Sequence, residues 1–160
     1  MDRLRQFAKW ELDYNYQSLH KHVCTSVFSL NTCNLETYVN DVLNDSDLMD
    51  FDILCLQETH LKQEILQRKF KTFNCISSHY KYGFLTCLKQ NIKIVEHMQF
   101  QEDNVESLMT NIILHGMQIT IVNVYATPYA TFPNILNIIE KILRNISIGK
   151  PIVIVGNFRC

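Results

Sequence analysis

Four glycines and three prolines in 160 residues are too few for a collagen-like, linker-like or low-complexity chain. No stretch approaches the roughly 18 consecutive apolar residues of a membrane-spanning helix, which excludes such a span, and no membrane partner is expected. The start, Met1-Asp2-Arg3-Leu4-Arg5, lacks the apolar stretch and small-residue cleavage site of a secretory leader, so the sequence reads as not secreted. Charge of either sign is not in excess. Fifteen Lys and Arg stand against 16 Asp and Glu, so no global basic field advertises a nucleic-acid partner, and none forbids one. The six cysteines, at 24, 33, 55, 75, 87 and 160, form no CxxC and have no histidine at zinc-ligand spacing. Most lie in apolar runs, as Cys55 does in Ile53-Leu54-Cys55-Leu56. They read as reduced, mostly buried thiols of a nuclear or cytoplasmic protein.

What is present is a packed core. A hydrophobic content of 47% with 11% aromatics excludes intrinsic disorder, and the length fits one domain or most of one. Residues 1–22 are polar and aromatic without a period and read as an extension outside the core, at most a short helix. From residue 23 strand and helix patterns alternate. Val23–Leu30 is β-branched and aromatic. Leu35, Tyr38, Val39, Val42 and Leu43 follow helical spacing, with Asn34 as N-cap. Phe51–Leu56 is an apolar run broken only by Asp52, the pattern of a strand buried on both faces. Short strand-like runs at 84–88 and 92–95 precede a hairpin, 108–114 and 118–125, turned at His115-Gly116. Pro133 opens a helix whose apolar stripe runs from Ile135 to Ile146 and which Gly149 ends. Pro151–Val155 reads as another buried strand. The class is α/β, in layers.

In α/β sheets, ligands and catalysis gather at the carboxyl ends of strands. Four of the expected strands end at Asn31, at Gln57-Glu58-Thr59, at Tyr125 and at Gly156-Asn157. If they share one edge, a single carboxylate meets several neutral oxygen donors, a set that suits Mg²⁺. The sequence stops just past the last of these ends and reads as cut through its site.

These stretches resemble a known family. Phe51-Asp52-Ile53-Leu54-Cys55-Leu56-Gln57-Glu58-Thr59-His60 is similar to the LQET motif of the endonuclease/exonuclease/phosphatase superfamily. Ser29-Leu30-Asn31 resembles its first Asn motif, and 105–125 its central hairpin and Tyr strand. Pro151 to Arg159 resembles the strand that normally ends in GDFN. The order and phrasing are most similar to endonuclease domains of mobile elements, of the Helitron-type helicase or non-LTR retrotransposon kind. The resemblance spans residues 23–160 and implies the N-terminal part of a four-layer α/β sandwich that hydrolyses phosphodiesters with Mg²⁺. It implies DNA as a partner, and a helicase or reverse-transcriptase region in the parent element. It also assigns roles: Asn31 and Glu58 on the metal side, Tyr125 at the scissile phosphate, and Asn157 and Arg159 at the Asp and Asn of GDFN.

The last two depart from the pattern. An amide at Asn157 cannot accept a proton, and losing a general base costs roughly 10²–10⁴-fold. Arg159 sets a fixed positive charge beside a cation. The family's later Asp-His motif lies past residue 160. The expectation is therefore a phosphodiesterase by ancestry with impaired activity, or else a non-catalytic remnant that binds nucleic acid weakly. For such binding the candidates are Lys69, Lys71 and Lys81, within a locally basic stretch at 62–93 whose bland reading is a solvated face.

Overall fold

Strand Ile53–Gln57 (β3) is buried at every position, as its unbroken apolar run predicts. It sits at the centre of the first of two sheets. The structure is a computed structural model that describes residues 10–12 (backbone only), 25–61, 65, 68–78 and 82–158. Around β3 lie β1 (Trp10–Leu12), β2 (Thr25–Asn31), β4 (Phe73–Ser77) and β5 (Phe84–Lys89), in the order β1-β2-β3-β5-β4. The second sheet is β6 (Lys93–Glu102), β7 (Val105–Leu114), β8 (Met117–Ala126) and β9 (Ile152–Phe158), in chain order. Pairing is parallel only where a helix crosses over, between β2 and β3 through α1 (Leu35–Asn44) and α2 (Ser46–Met49), and between β8 and β9 through α3 (Phe132–Arg144).

The period-2 alternation of the strands sorts side chains into layers. Ile53, Cys55, Phe84, Leu88, Leu108, Ile112, Ile121 and Tyr125 meet between the sheets. Leu54, Leu56, Leu85 and Cys87 point outward, under Leu35, Val39 and Val42 of α1. Met109, Val122 and Val124 on the other outer face receive Ile135, Ile138 and Ile142 of α3. Each such buried aliphatic contributes about 1.5–3 kcal/mol relative to exposure. The result is helix, sheet, sheet, helix: the four-layer α/β sandwich the resemblance implies.

Several elements differ from the sequence reading. Within the 1–22 extension, Trp10–Leu12 pairs antiparallel with Thr25–Val27 of β2 and so belongs to the first sheet. The strand Phe73–Ser77 was not visible in the residue pattern. β6 runs to Glu102, well past Val95, because a register shift between Ile94 and Glu96 breaks the alternation without ending the strand. α3 stops at Arg144, ahead of Gly149, where Asn145 caps it: its backbone N–H bonds to Ile142 O and its side-chain amide donates to Lys141 O. Asn34 precedes α1 in a left-handed conformation with no side-chain cap bond. β9 is not buried on both faces: it is an edge strand of its sheet, with Ile154 and Phe158 exposed. Of the described cysteines, Cys55 and Cys87 are buried and Cys33 is exposed.

Candidate active site

β2 and β3 run parallel and end together, with Asn31 opposite Gln57. The chain leaves β3 through Glu58, whose φ of +51° is left-handed. Six described non-glycine residues have positive φ, and four of them (Cys33, Asn34, Glu58 and His60) lie in the two loops that leave β2 and β3. Backbone strain of this kind persists only where surrounding bonds over-determine it. Here they do. The Thr32 hydroxyl donates to Gln57 O (2.8 Å) and Glu58 O (3.1 Å), and Asn34 N–H donates to Glu58 O (2.9 Å). Thr59 N–H donates to Gly83 O (3.3 Å), and a Cβ on Gly83 would come within 2.8 Å of the Thr59 hydroxyl oxygen, so the turn and Gly83 are in close contact.

Within this frame Asn31 Nδ2 donates to Glu58 Oε1 at 3.1 Å, while Asn31 Oδ1 accepts from Cys33 N–H at 3.0 Å. The amide is thereby oriented, and it in turn orients the carboxylate. Both side chains are half-buried.

A buried amide pair sets this rim against the second sheet. Gln57 Nε2 donates to Asn123 Oδ1 at 2.6 Å and also reaches Ser29 Oγ (3.1 Å) and Cys55 O (3.0 Å). Asn123 Nδ2 donates to Leu56 O and Leu85 O, each at 3.3 Å. Gln57 is 1% and Asn123 0% exposed, so these bonds form in a low-dielectric layer where a missing partner is costly. They place the carboxyl ends of β3 and β8 on one rim. Tyr125, two residues beyond Asn123, pairs in register with Asn157 of β9. Of the candidates, then, Asn31, Glu58, Tyr125 and Asn157 come to the same rim, with Asn31 and Glu58 in direct contact. Tyr125 is 4% exposed, its ring tilted against Tyr82 (centroids 5.2 Å) and edge-on to Phe84 (6.4 Å). Glu106, buried and opposite Tyr125 in the β7–β8 register, is a further carboxylate of this region that sequence reasoning did not single out. Gln57 and Asn123 were also passed over. Their signal was an amide placed inside an otherwise apolar strand.

The lysines fall elsewhere. Lys71 lies two residues before Phe73, which pairs with Lys89 at the far end of β5, next to the start of β3. Gln90 Nε2 donates to Lys71 O there (2.9 Å). Lys69 Nζ donates to Asn40 Oδ1 of α1 (2.8 Å). Lys71 is thus at the rim opposite Glu58, about five strand residues or roughly 17 Å away, and Lys69 lies beside the middle of α1. With Ile65 and Arg68 they line a shallow recess of about 500 Å³. Lys81 and Arg159 lie outside the described residues.

Among the described residues no three His, Cys, Asp or Glu side chains gather to hold an ion. A half-buried carboxylate oriented by a neighbouring amide fits Mg²⁺, which is held through one or two carboxylates and completes its shell with water and substrate phosphate. Glu58 would supply the carboxylate.

No family model and no curated protein matches the sequence. Solved structures do. The chain superposes on D. rerio TDP2 complexed with a single-strand DNA product with a TM-score of 0.68 at 14% identity, covering 85% of this chain and 61% of that one. The Bacteroides thetaiotaomicron mannosyl-6-phosphatase Bt3783 gives 0.69 at 16%, covering 84% and 65%. An endonuclease/exonuclease/phosphatase family protein from the same bacterium gives 0.67 at 14%, covering 84% and 63%. The chain has the endonuclease/exonuclease/phosphatase fold. At these identities the likeness is one of fold, and the chain spans about half to two thirds of the length of the structures it matches.

Proposed function

We propose that the chain carries the metal-side half of a phosphodiester-cleaving site of the endonuclease type, with DNA as substrate. The observation that carries the reading is the Asn31–Glu58 hydrogen bond at the rim where β2, β3, β8 and β9 end. Bound at Glu58, Mg²⁺ would polarise a phosphoryl oxygen and stabilise the charge that develops on it. The chain's own residues do the rest. Asn31 fixes the carboxylate's direction through its Nδ2, and the Thr32 and Asn34 bonds hold the strained Glu58 backbone in place. Tyr125 and Asn157 line the opposite side of the rim. DNA is favoured over other phosphoesters by the phrasing of the sequence motifs, which resemble mobile-element endonucleases, and by the DNA-bound TDP2 with the same fold. Asn157 offers an amide where a carboxylate would take a proton from attacking water, so cleavage is expected to be slow, down by roughly 10²–10⁴-fold.

A plasmid-nicking assay with Mg²⁺ tests the reading, with Glu58→Ala as control. Nicking by the parent chain that Glu58→Ala abolishes supports it; equal background from both proteins defeats it. Asn157 also favours a second reading, a nucleic-acid-binding module without turnover. Retention on DNA at low salt, lost on reversing the charges of Lys69, Lys71 and Lys81 but kept in Glu58→Ala, would mark that reading, because phosphate contacts dominate non-specific affinity.

A further inference from the structure

We propose that Cys75 and Cys87 are an oxidisable dithiol that closes to a disulfide across β4 and β5 and clamps the hairpin whose residues abut the Glu58 turn. The inference is independent of the nuclease reading. The two cysteines are direct partners in the antiparallel register of β4 and β5, and their sulfurs stand 2.9 Å apart. Directly opposed antiparallel residues have Cα separations of about 4.5 or 5.5 Å, both within the 4.4–6.8 Å window that a disulfide spans. Closure therefore needs side-chain adjustment and no strand movement.

The other described thiols are placed so as not to compete. Cys55 points to the opposite face of the sheet, into the layer between the sheets and opposite Thr86, whereas Cys87 faces α1. Cys33 is exposed on the loop after β2. Oxidant enters at Cys75, which is half-buried, because Cys87 is wholly buried and burial pushes its thiol well above the usual range. With a peroxide as oxidant, Cys75 Sγ attacks one peroxide oxygen. The O–O bond breaks, a sulfenic acid forms at Cys75, and one water leaves. Cys87 Sγ then attacks Cys75 Sγ, the S–O bond breaks, and the departing hydroxide takes the Cys87 proton to leave as the second water. Two thiols and one peroxide become one disulfide and two waters, and a dithiol reverses the step.

The clamp bears on the Glu58 turn. The segment between the two cysteines includes Tyr82, which packs on Tyr125, and Gly83, whose carbonyl accepts the Thr59 N–H.

The test uses the full chain, reduced, desalted, exposed to hydrogen peroxide and then alkylated. Before alkylation the intact mass should be lower than that of the reduced chain by two hydrogens, and digestion after alkylation should yield the Cys75 and Cys87 peptides joined and separable by dithiothreitol. Cys55 should be alkylated only after denaturation. Cys75→Ser should abolish the link. Closing a loop of this length should raise the melting temperature of the oxidised chain by roughly 6–12 °C, a shift missing from Cys75→Ser. Recovery of both Cys75 and Cys87 as alkylated thiols overturns the proposal. So does addition of oxygen without loss of hydrogen, or a link through Cys33 or Cys55. An oxidised chain that melts no higher than the reduced one removes the clamp.

Discussion

Gly156→Ala probes the packing that brings β9 to the site. Gly156 pairs with Val124 in the parallel β8–β9 ladder, with φ +149°, a conformation that side-chain-bearing residues rarely adopt. A Cβ at this position would stand 1.9 Å from Val124 O, 2.7 Å from Val124 C and 2.9 Å from Val124 N. All three atoms are backbone, so no rotamer change relieves the clash. β9 would have to retreat from β8 by about 1 Å to reach the 3.0 Å floor of real Cβ contacts. Overpacking of this kind costs about 1–3 kcal/mol, and a glycine-only backbone conformation about 1–3 kcal/mol more. About 4 kcal/mol is a large share of the 5–15 kcal/mol typical of a domain, and at this size lowers the melting temperature by roughly 8–16 °C. Calorimetry reads the shift, and amide exchange in 152–158 should accelerate before that in β7. A melting temperature within about 2 °C of the parent, with unchanged exchange in β9, would refute the reasoning.

Asn123→Ala removes one acceptor and two donors from the layer between the sheets; Gln57 Nε2 keeps Ser29 Oγ and Cys55 O, so the loss comes from the three deleted hydrogen bonds and the vacated volume, and urea denaturation should register about 3 kcal/mol lost. Thr32→Val deletes the hydroxyl that holds the Gln57 and Glu58 carbonyls; about 1–2 kcal/mol should be lost, with faster amide exchange confined to the Thr32–Asn34 and Glu58–His60 loops. Burial pushes Cys55 from 9.0 up to about 12. Its thiol stays protonated in the folded chain while the unfolded chain ionises. The associated stability is therefore complete below about pH 9 and drains away as pH rises towards 12, at about 1.4 kcal/mol per pH unit. Urea midpoints at pH 8 to 11 should show a shallower alkaline decline in Cys55→Ala than in the parent; identical slopes would rule out a buried Cys55 thiol.

Local pattern reached far into this fold. Unbroken apolar runs identified β3, and helical spacing identified α1 and α3, because an element that buries a face must repeat at its own period. The candidate rim was legible for a related reason: Asn31, Glu58, Tyr125 and Asn157 each lie at or within one residue of a strand's carboxyl end, and such ends gather where parallel connections bring them together. What the residues could not say was set by partners far away in sequence. Phe73–Ser77 is a strand because β5 pairs with it, not because its own five residues alternate. Lys93–Glu102 stays a strand past its bulge because β7 continues beside it. Ile152–Val155, apolar enough for a central strand, lies at an edge among the described strands, where β8 alone pairs with it. The basic stretch around residues 62–93 looks continuous along the chain, yet antiparallel pairing sends Lys71 to the rim opposite Glu58 and Lys69 reaches the middle of α1. Composition and periodicity specify which face of an element is apolar. Which two faces meet, and at what register, is decided only when buried amides such as Gln57 and Asn123, 66 residues apart, meet each other, since polar groups in that dry layer need partners that no local pattern supplies.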